Sequence, residues 1–204
     1  MYAFFLVKKH FSYTVMNRKD ITALLLDVLI NSRLSDRKYY AKEVTIDYGT
    51  THQKRVDVMQ FIPGGVVYPS DIEKGTFTCY EIKSCKADVY SGNGLNFFGE
   101  QNYIVTTMET YKKLQPDIRE GKLDNYIRDN YPESSLNYGI LVPVPCHINV
   151  RNTKEISGEY ESPTKFDKNP SNWKLFNIYG KNIAGRRKRS MVELLFCMLR
   201  SAGR

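Results

Sequence analysis

In Arg55-Val-Asp57-Val-Met59 and Tyr80-Glu81-Ile-Lys83, two acids and a lysine interrupt runs that otherwise carry valine, isoleucine and aromatic residues. Each stretch lies in a longer segment of strand character, residues 54–62 and 75–83, and a third such segment precedes them at 39–47. Side chains of a strand alternate faces, so Val56 and Val58 point one way and Asp57 the other, while Tyr80 and Ile82 oppose Glu81 and Lys83. If the second and third strands are hairpin neighbours, Asp57, Glu81 and Lys83 share one face of the sheet. Turn residues at 49–52 and a longer loop around Pro63-Gly-Gly65 and Pro69-Ser-Asp71 make a β-meander the simplest assembly.

Outward from these strands the pattern changes period. Ile21, Leu24, Leu25, Val28 and Leu29 recur at helical spacing over 21–34, with Asp20 as the expected N-cap. Met16-Asn-Arg-Lys-Asp20 reads as a fresh start, which makes 1–16 an appendage and 17–204 one domain. Downstream, 84–90 suits one or two helical turns, Ser91-Gly-Asn-Gly94 breaks the chain, 102–107 reads as a fourth strand and 109–120 as a helix. Residues 137–144 form an almost continuous apolar run suited to a buried strand, with 146–151 expected as its hairpin partner. The Ser-, Pro-, Asn- and Lys-rich stretch 155–172 reads as a loop insertion, and Met191, Leu194, Leu195, Met198 and Leu199 mark an amphipathic C-terminal helix. The order α-β-β-β-α-β, plus that helix, predicts an α/β (α+β) fold: a central mixed sheet flanked by helices, and not a doubly wound one.

Composition bounds the function. Of 204 residues, 30 are Lys or Arg and 22 Asp or Glu, a net charge of +8, and 42% are hydrophobic, which suits one globular domain and excludes disorder, collagen and a coiled coil. A sequence pI near 9.2 favours polyanionic partners such as nucleic acid. The four cysteines, 79, 85, 146 and 197, show neither a C-x-x-C pair nor zinc-finger spacing, so a reducing interior fits. With no apolar run long enough to span a membrane and no signal-type leader, the chain reads as cytoplasmic. His10, His52 and His147 are too scattered for a triad or a zinc site, and no P-loop is present.

Two carboxylates facing each other at one end of a sheet can form a hard oxygen site for Mg²⁺ or Mn²⁺, ions that take few carboxylates and complete their shell with water and phosphate. A lysine two residues beyond one acid lies beside that site, where its ammonium can position a water and offset charge on a phosphate. The plainer reading is a solvated strand face with a weak ion pair. The context, on successive strands after an opening helix and before a crossover, favours the chemical one.

With those residues the chain resembles the PD-(D/E)XK nuclease superfamily, and within it the MmcB-like and phage-encoded nuclease-fold proteins. The resemblance rests on Asp57, on Glu81-Ile-Lys83-Ser-Cys-Lys-Ala-Asp88 and on Asn96-Phe-Phe-Gly-Glu-Gln-Asn-Tyr-Ile-Val105, and extends loosely to Arg151-Asn-Thr-Lys154 and the final helix. It implies a restriction-endonuclease-like core in which Asp57 and Glu81 bind the metal and Lys83 is catalytic, with Val56 standing where the motif has proline. Some members supply a further acid from the first helix, a place that Asp27 would take. Ser84 and Asp88 continue an E-x-K-S-x-x-x-D run, with Asp88 either orienting Lys83 or capping a short helix. Asn96 and Gln101 are candidates to reach a phosphate or base, and Arg55 and Lys86 to contact phosphate. Arg186, Arg187, Lys188 and Arg189 precede a helix N-terminus, where four cations oppose the helix dipole and a DNA backbone would relieve them. The expected function is Mg²⁺- or Mn²⁺-dependent hydrolysis of DNA in repair or in phage or mobile-element DNA processing, with a homodimer open. A non-catalytic DNA-binding protein on the same fold and a protein-interaction module are the alternatives.

Overall fold

Alternating apolar residues make the first half of the chain a meander. In the computed structural model, which describes residues 16–34, 39–65, 68–149, 168–180 and 185–203, β1 (Tyr39–Ile46), β2 (Lys54–Ile62) and β3 (Thr76–Lys83) are successive antiparallel neighbours. After β3 the chain crosses over: β4 (Gln101–Thr106) lies parallel to β3, β5 (Gly139–Pro145) parallel to β4, and β6 (Trp173–Tyr179) antiparallel to β5. The result is one six-stranded mixed sheet in the order β1-β2-β3-β4-β5-β6, flanked by helices as the α/β reading expects.

α1 (Arg18–Leu29), which continues as a π-helical turn over Ile30–Leu34, lays Leu24, Leu25, Val28 and Leu29 on one sheet face. There they meet Val58, Tyr80, Ile82, Tyr103, Val105, Leu141, Trp173 and Leu175. Two single turns, α2 (Ser70–Glu73) and α3 (Lys86–Val89), sit in connections. The other face is shared. α4 (Met108–Arg119) and α5 (Lys122–Asn130) cover Ile104, Ile140 and Val142, and the C-terminal α6 (Met191–Ala202) covers Val44, Met59, Phe77 and Cys79. Among the described residues no helix is long and apolar enough to cross a membrane. All four cysteines are free.

Four expectations are corrected. The cap of α1 is Asn17, whose side-chain oxygen accepts from the Asp20 N–H at 3.0 Å, and not Asp20 itself. Met16 packs against the α1 cluster and so belongs to the folded unit; the rest of the expected appendage lies outside the described residues. Residues 146–149 do not pair with β5, because Cys146 and His147 are exposed in a turn while Trp173 and Leu175 supply the apolar face that a sixth strand needs. The expected loop at 155–172 falls outside the described residues up to 167 and ends in a 3₁₀ turn, Pro170–Asn172, that leads into β6. Sequence reading also passed over α5, where Leu123 and Ile127 are buried. Pro143 and Pro145 are tolerated in β5 because β4 pairs with it only over Gly139, Ile140 and Leu141.

The cap assignment has a simple check. Asn17→Ala is expected to lower the unfolding free energy by about 1 kcal/mol in a urea titration. Asp20→Ala, which loses only a charge near the helix start, should cost roughly half as much. Equal losses, or a larger one at Asp20, would contradict it.

Candidate active site

The pairing of β2 with β3 stops at Val58 and Tyr80, and one step further in the same register Asp57 stands across from Glu81. There the ladder gives way to a side chain: Asp57 Oδ2 accepts from the Ile82 N–H at 2.8 Å. On the other side of β2 the register with β1 is also interrupted at Asp57, opposite Glu43, whose φ of 53° is left-handed. β2 is thus loosened from both neighbours at the residue whose carboxylate faces the sheet end.

Glu81 is 0% exposed. Its Oε1 accepts from the Asn96 N–H at 3.1 Å, while Oε2 is buried with no hydrogen-bond partner. Lys83, 4% exposed, donates from Nζ to the Asn93 carbonyl, and its own carbonyl accepts from Thr106 Oγ1 at 2.6 Å. The loop that carries Asn93 closes over both groups at Gly94, where φ is 88° and an added Cβ would stand 2.5 Å from both Glu81 Oε2 and Lys83 Nζ. The two atoms are therefore no more than twice that distance apart. A glycine is needed there for the left-handed backbone and for the space alike.

Burial pushes the Glu81 carboxyl well above the ordinary carboxylate range, and the Asp57 charge adds to this. The Lys83 charge and the amides of Asn96 and Leu95 act against it. The net effect is a carboxyl that favours its proton until a cation is near. A polar cleft of about 840 Å³ opens over Asp57 and Lys83, with the fully buried Glu81 not itself on its wall, and Lys42, Lys54 and Arg55 of the β1–β2 hairpin line its approach.

The structure brings Asp57, Glu81, Lys83 and Asn96 together and distributes the other candidates differently. Asp88 lines the cleft, but its carboxylate accepts from the Ser84 N–H at 2.9 Å and Oγ at 3.0 Å, fixing the turn just after Lys83. Asn96 is buried and donates its side-chain amide to the Arg55 carbonyl at 2.8 Å, so it braces the loop against β2. Arg55 pairs with Glu43 at 2.7 Å and Lys86 with Asp117 at 2.7 Å. Asp27 is exposed and does not line the cleft; Thr22 and Leu26 are the α1 residues that do. Gln101 is in register with Thr78, three positions before the partner of Glu81, about 10 Å away along the strand.

The basic run divides by alternation. Arg187 pairs with Glu100 at 2.8 Å, and Arg189 with Asp47 and Glu133, whereas Arg186 and Lys188 are exposed. Only the latter two present their charge fully to solvent. Sequence reasoning missed Thr22, Lys42, Lys54 and Tyr131, the last buried with an unpartnered hydroxyl and lining the cleft. Lys54 flanks the quoted motif and was within reach of it; Tyr131 follows the helix that the sequence reading passed over.

The donor set suits a divalent ion of the Mg²⁺ type. Such an ion binds through one or two carboxylates, and the site offers Asp57 and the unpartnered oxygen of Glu81. No group of three or more His, Cys, Asp or Glu residues gathers into a possible metal cage among the described residues. Compared with known proteins, the chain matches no family model, no curated protein and no solved structure.

The raised Glu81 pKa makes stability depend on pH. The unfolded chain binds that proton with the ordinary value of 4.5, the folded one more tightly, so the associated stability is complete below about pH 4.5 and is lost as pH rises through the folded value. Glu81→Gln, neutral throughout, should melt higher than the wild type at pH 8 in chelator, by about 2–4 °C for each kcal/mol relieved. The gap should close toward pH 4. A difference independent of pH would contradict this account.

Proposed function

We propose that this protein is a Mg²⁺- or Mn²⁺-dependent nuclease that hydrolyses DNA phosphodiester bonds, with a site of the PD-(D/E)XK kind. The observation that carries the reading is the buried Glu81 carboxylate, with one oxygen lacking a partner, in register with Asp57 and beside Lys83. A buried acid in that state is costly for a structural face and useful for a cation. Asp57 and Glu81 would hold the ion, which when bound polarises a phosphate oxygen and lowers the pKa of a water.

The residues of the chain do the rest. Lys83, fixed by Asn93 and Thr106, keeps an ammonium beside the scissile phosphate, where it donates a hydrogen bond and offsets developing charge. Lys42, Lys54 and Arg55 line the approach and can follow a phosphate backbone, with Arg55 exchanging Glu43 for phosphate. The net charge of +8 supports a polyanionic substrate.

The test is incubation with Mn²⁺ of single-stranded, duplex and branched DNA. Asp57→Asn, which keeps an oxygen to accept from Ile82, and Lys83→Ala should each lose at least about 100-fold in cleavage rate. Calorimetric Mn²⁺ binding should vanish in Asp57→Asn combined with Glu81→Gln. Cleavage unchanged in both single variants would sink the assignment. An absence of products on every DNA, with salt-sensitive affinity that needs no metal, would instead favour a DNA-binding protein without chemistry.

A further inference from the structure

α6 is apolar on two sides. Its inner side buries Leu194, Cys197 and Met198 against the sheet. On the opposite side, where a surface helix carries charge, Val192, Phe196 and Leu199 are 77, 61 and 73% exposed. Beside this stripe runs an apolar groove of about 630 Å³ between α6, β1 and the β2–β3 connection, with Tyr39, Phe61, Tyr68, Ile72 and Leu195 among its walls. Tyr39, Tyr68 and Ile72 are themselves exposed. A contiguous apolar surface of this extent marks an interaction site.

We propose that the occupant is a second copy of this chain, with α6 packed antiparallel against α6. The stripe, with Leu195 at its edge, occupies 192, 195, 196 and 199, a spacing that is the same read in either direction. About a two-fold axis midway between Leu195 and Phe196, Val192 lies over the partner subunit's Leu199, and Leu195 over the partner subunit's Phe196. Every apolar side chain meets another, which is the self-complementarity that an isologous interface demands.

The charges agree with this arrangement. At 100° per residue Glu193 and Arg200 fall on the same flank of the stripe, so the antiparallel pairing brings each Glu193, 3.9 Å from its own Arg189, to within about 3 Å, along the helix axis, of the partner subunit's Arg200, which within its own chain lies over Tyr48 and donates to the Thr45 carbonyl. This inference stands independently of the nuclease reading.

Sedimentation velocity on the full chain tests it, over about 1–100 μM, where a dimer of micromolar affinity titrates. The expected result is twice the chain mass for the wild type and loss of the dimer in both Phe196→Glu and Leu199→Glu, with the far-ultraviolet circular dichroism of the fold unchanged because both side chains are solvent-exposed, and with melting lowered only by the stabilisation that the partner subunit had supplied. A wild type that stays monomeric throughout, or a dimer that either variant retains, would overturn the proposal. A monomer would give the face to another partner or to a different segment of the chain.

Discussion

Placing a carboxylate at Glu81 with no exposed surface is the constraint around which the sheet end is organised. An ionised acid in that position loses its hydration, and the protein offers only a partial replacement: amide N–H groups from the loop at 95–96 and the ammonium of Lys83. To bring these in, the chain must fold a glycine loop back over β3, end the β2–β3 ladder early and let Asp57 satisfy the Ile82 N–H with a side chain. Each of these local departures from regular strand geometry serves the same group. They gather around one group at one end of the sheet, the pattern in which local departures from ideal geometry point to a candidate site.

Much of this was legible before the structure. The three meander strands follow from their strand character, and the opposition of Asp57 and Glu81 from their register once β2 and β3 are neighbours; the break in β2 at Asp57, however, puts Val56 on the α6 side and Val58 on the α1 side, against the alternation expected. What was not legible depends on partners distant in sequence. The strand that pairs with β5 is chosen by whether its side chains can reach the α1 cluster, which Trp173 and Leu175 do and residues 146–149 do not. Opposite Ile140 and Leu141 of β5 the pairing register steps from Tyr179 to Asn177 and skips Ile178 of β6, blurring the period-two signal in a seven-residue strand. The choice of Asn17 over Asp20 as cap lies within the tolerance of sequence signals, since both residue types cap well and they stand three apart. Gln101 looked near the site because it is near in sequence, but strand direction carries it away.

The basic segment shows how a charge run divides its labour. Its backbone pairs with the loop before β4, through Gly185 N–H to the Glu100 carbonyl and Lys188 N–H to the Phe98 carbonyl. An extended stretch of this kind turns alternate side chains inward, so Arg187 reaches Glu100, which also accepts from the Phe77 N–H, and Arg189 lies over the Phe98 ring beside Asp47. Half of the run therefore fastens the C-terminal helix to the sheet. The charge count alone could not reveal this, because formal charge is indifferent to which neighbours the fold supplies.

The two prolines of β5 carry a consequence for how the protein behaves in a crowded solution. Since the Cys146 N–H points to Asn172 on the β6 side, alternation along the strand sends the amide positions of residues 143 and 145 the other way, toward the flank that β4 has already left. A bare flank in the middle of a sheet would invite a foreign strand to add itself there. With proline at both positions that flank has no donor to offer, and since both prolines are buried the chain also packs over it, so the flank is closed to templated aggregation twice over.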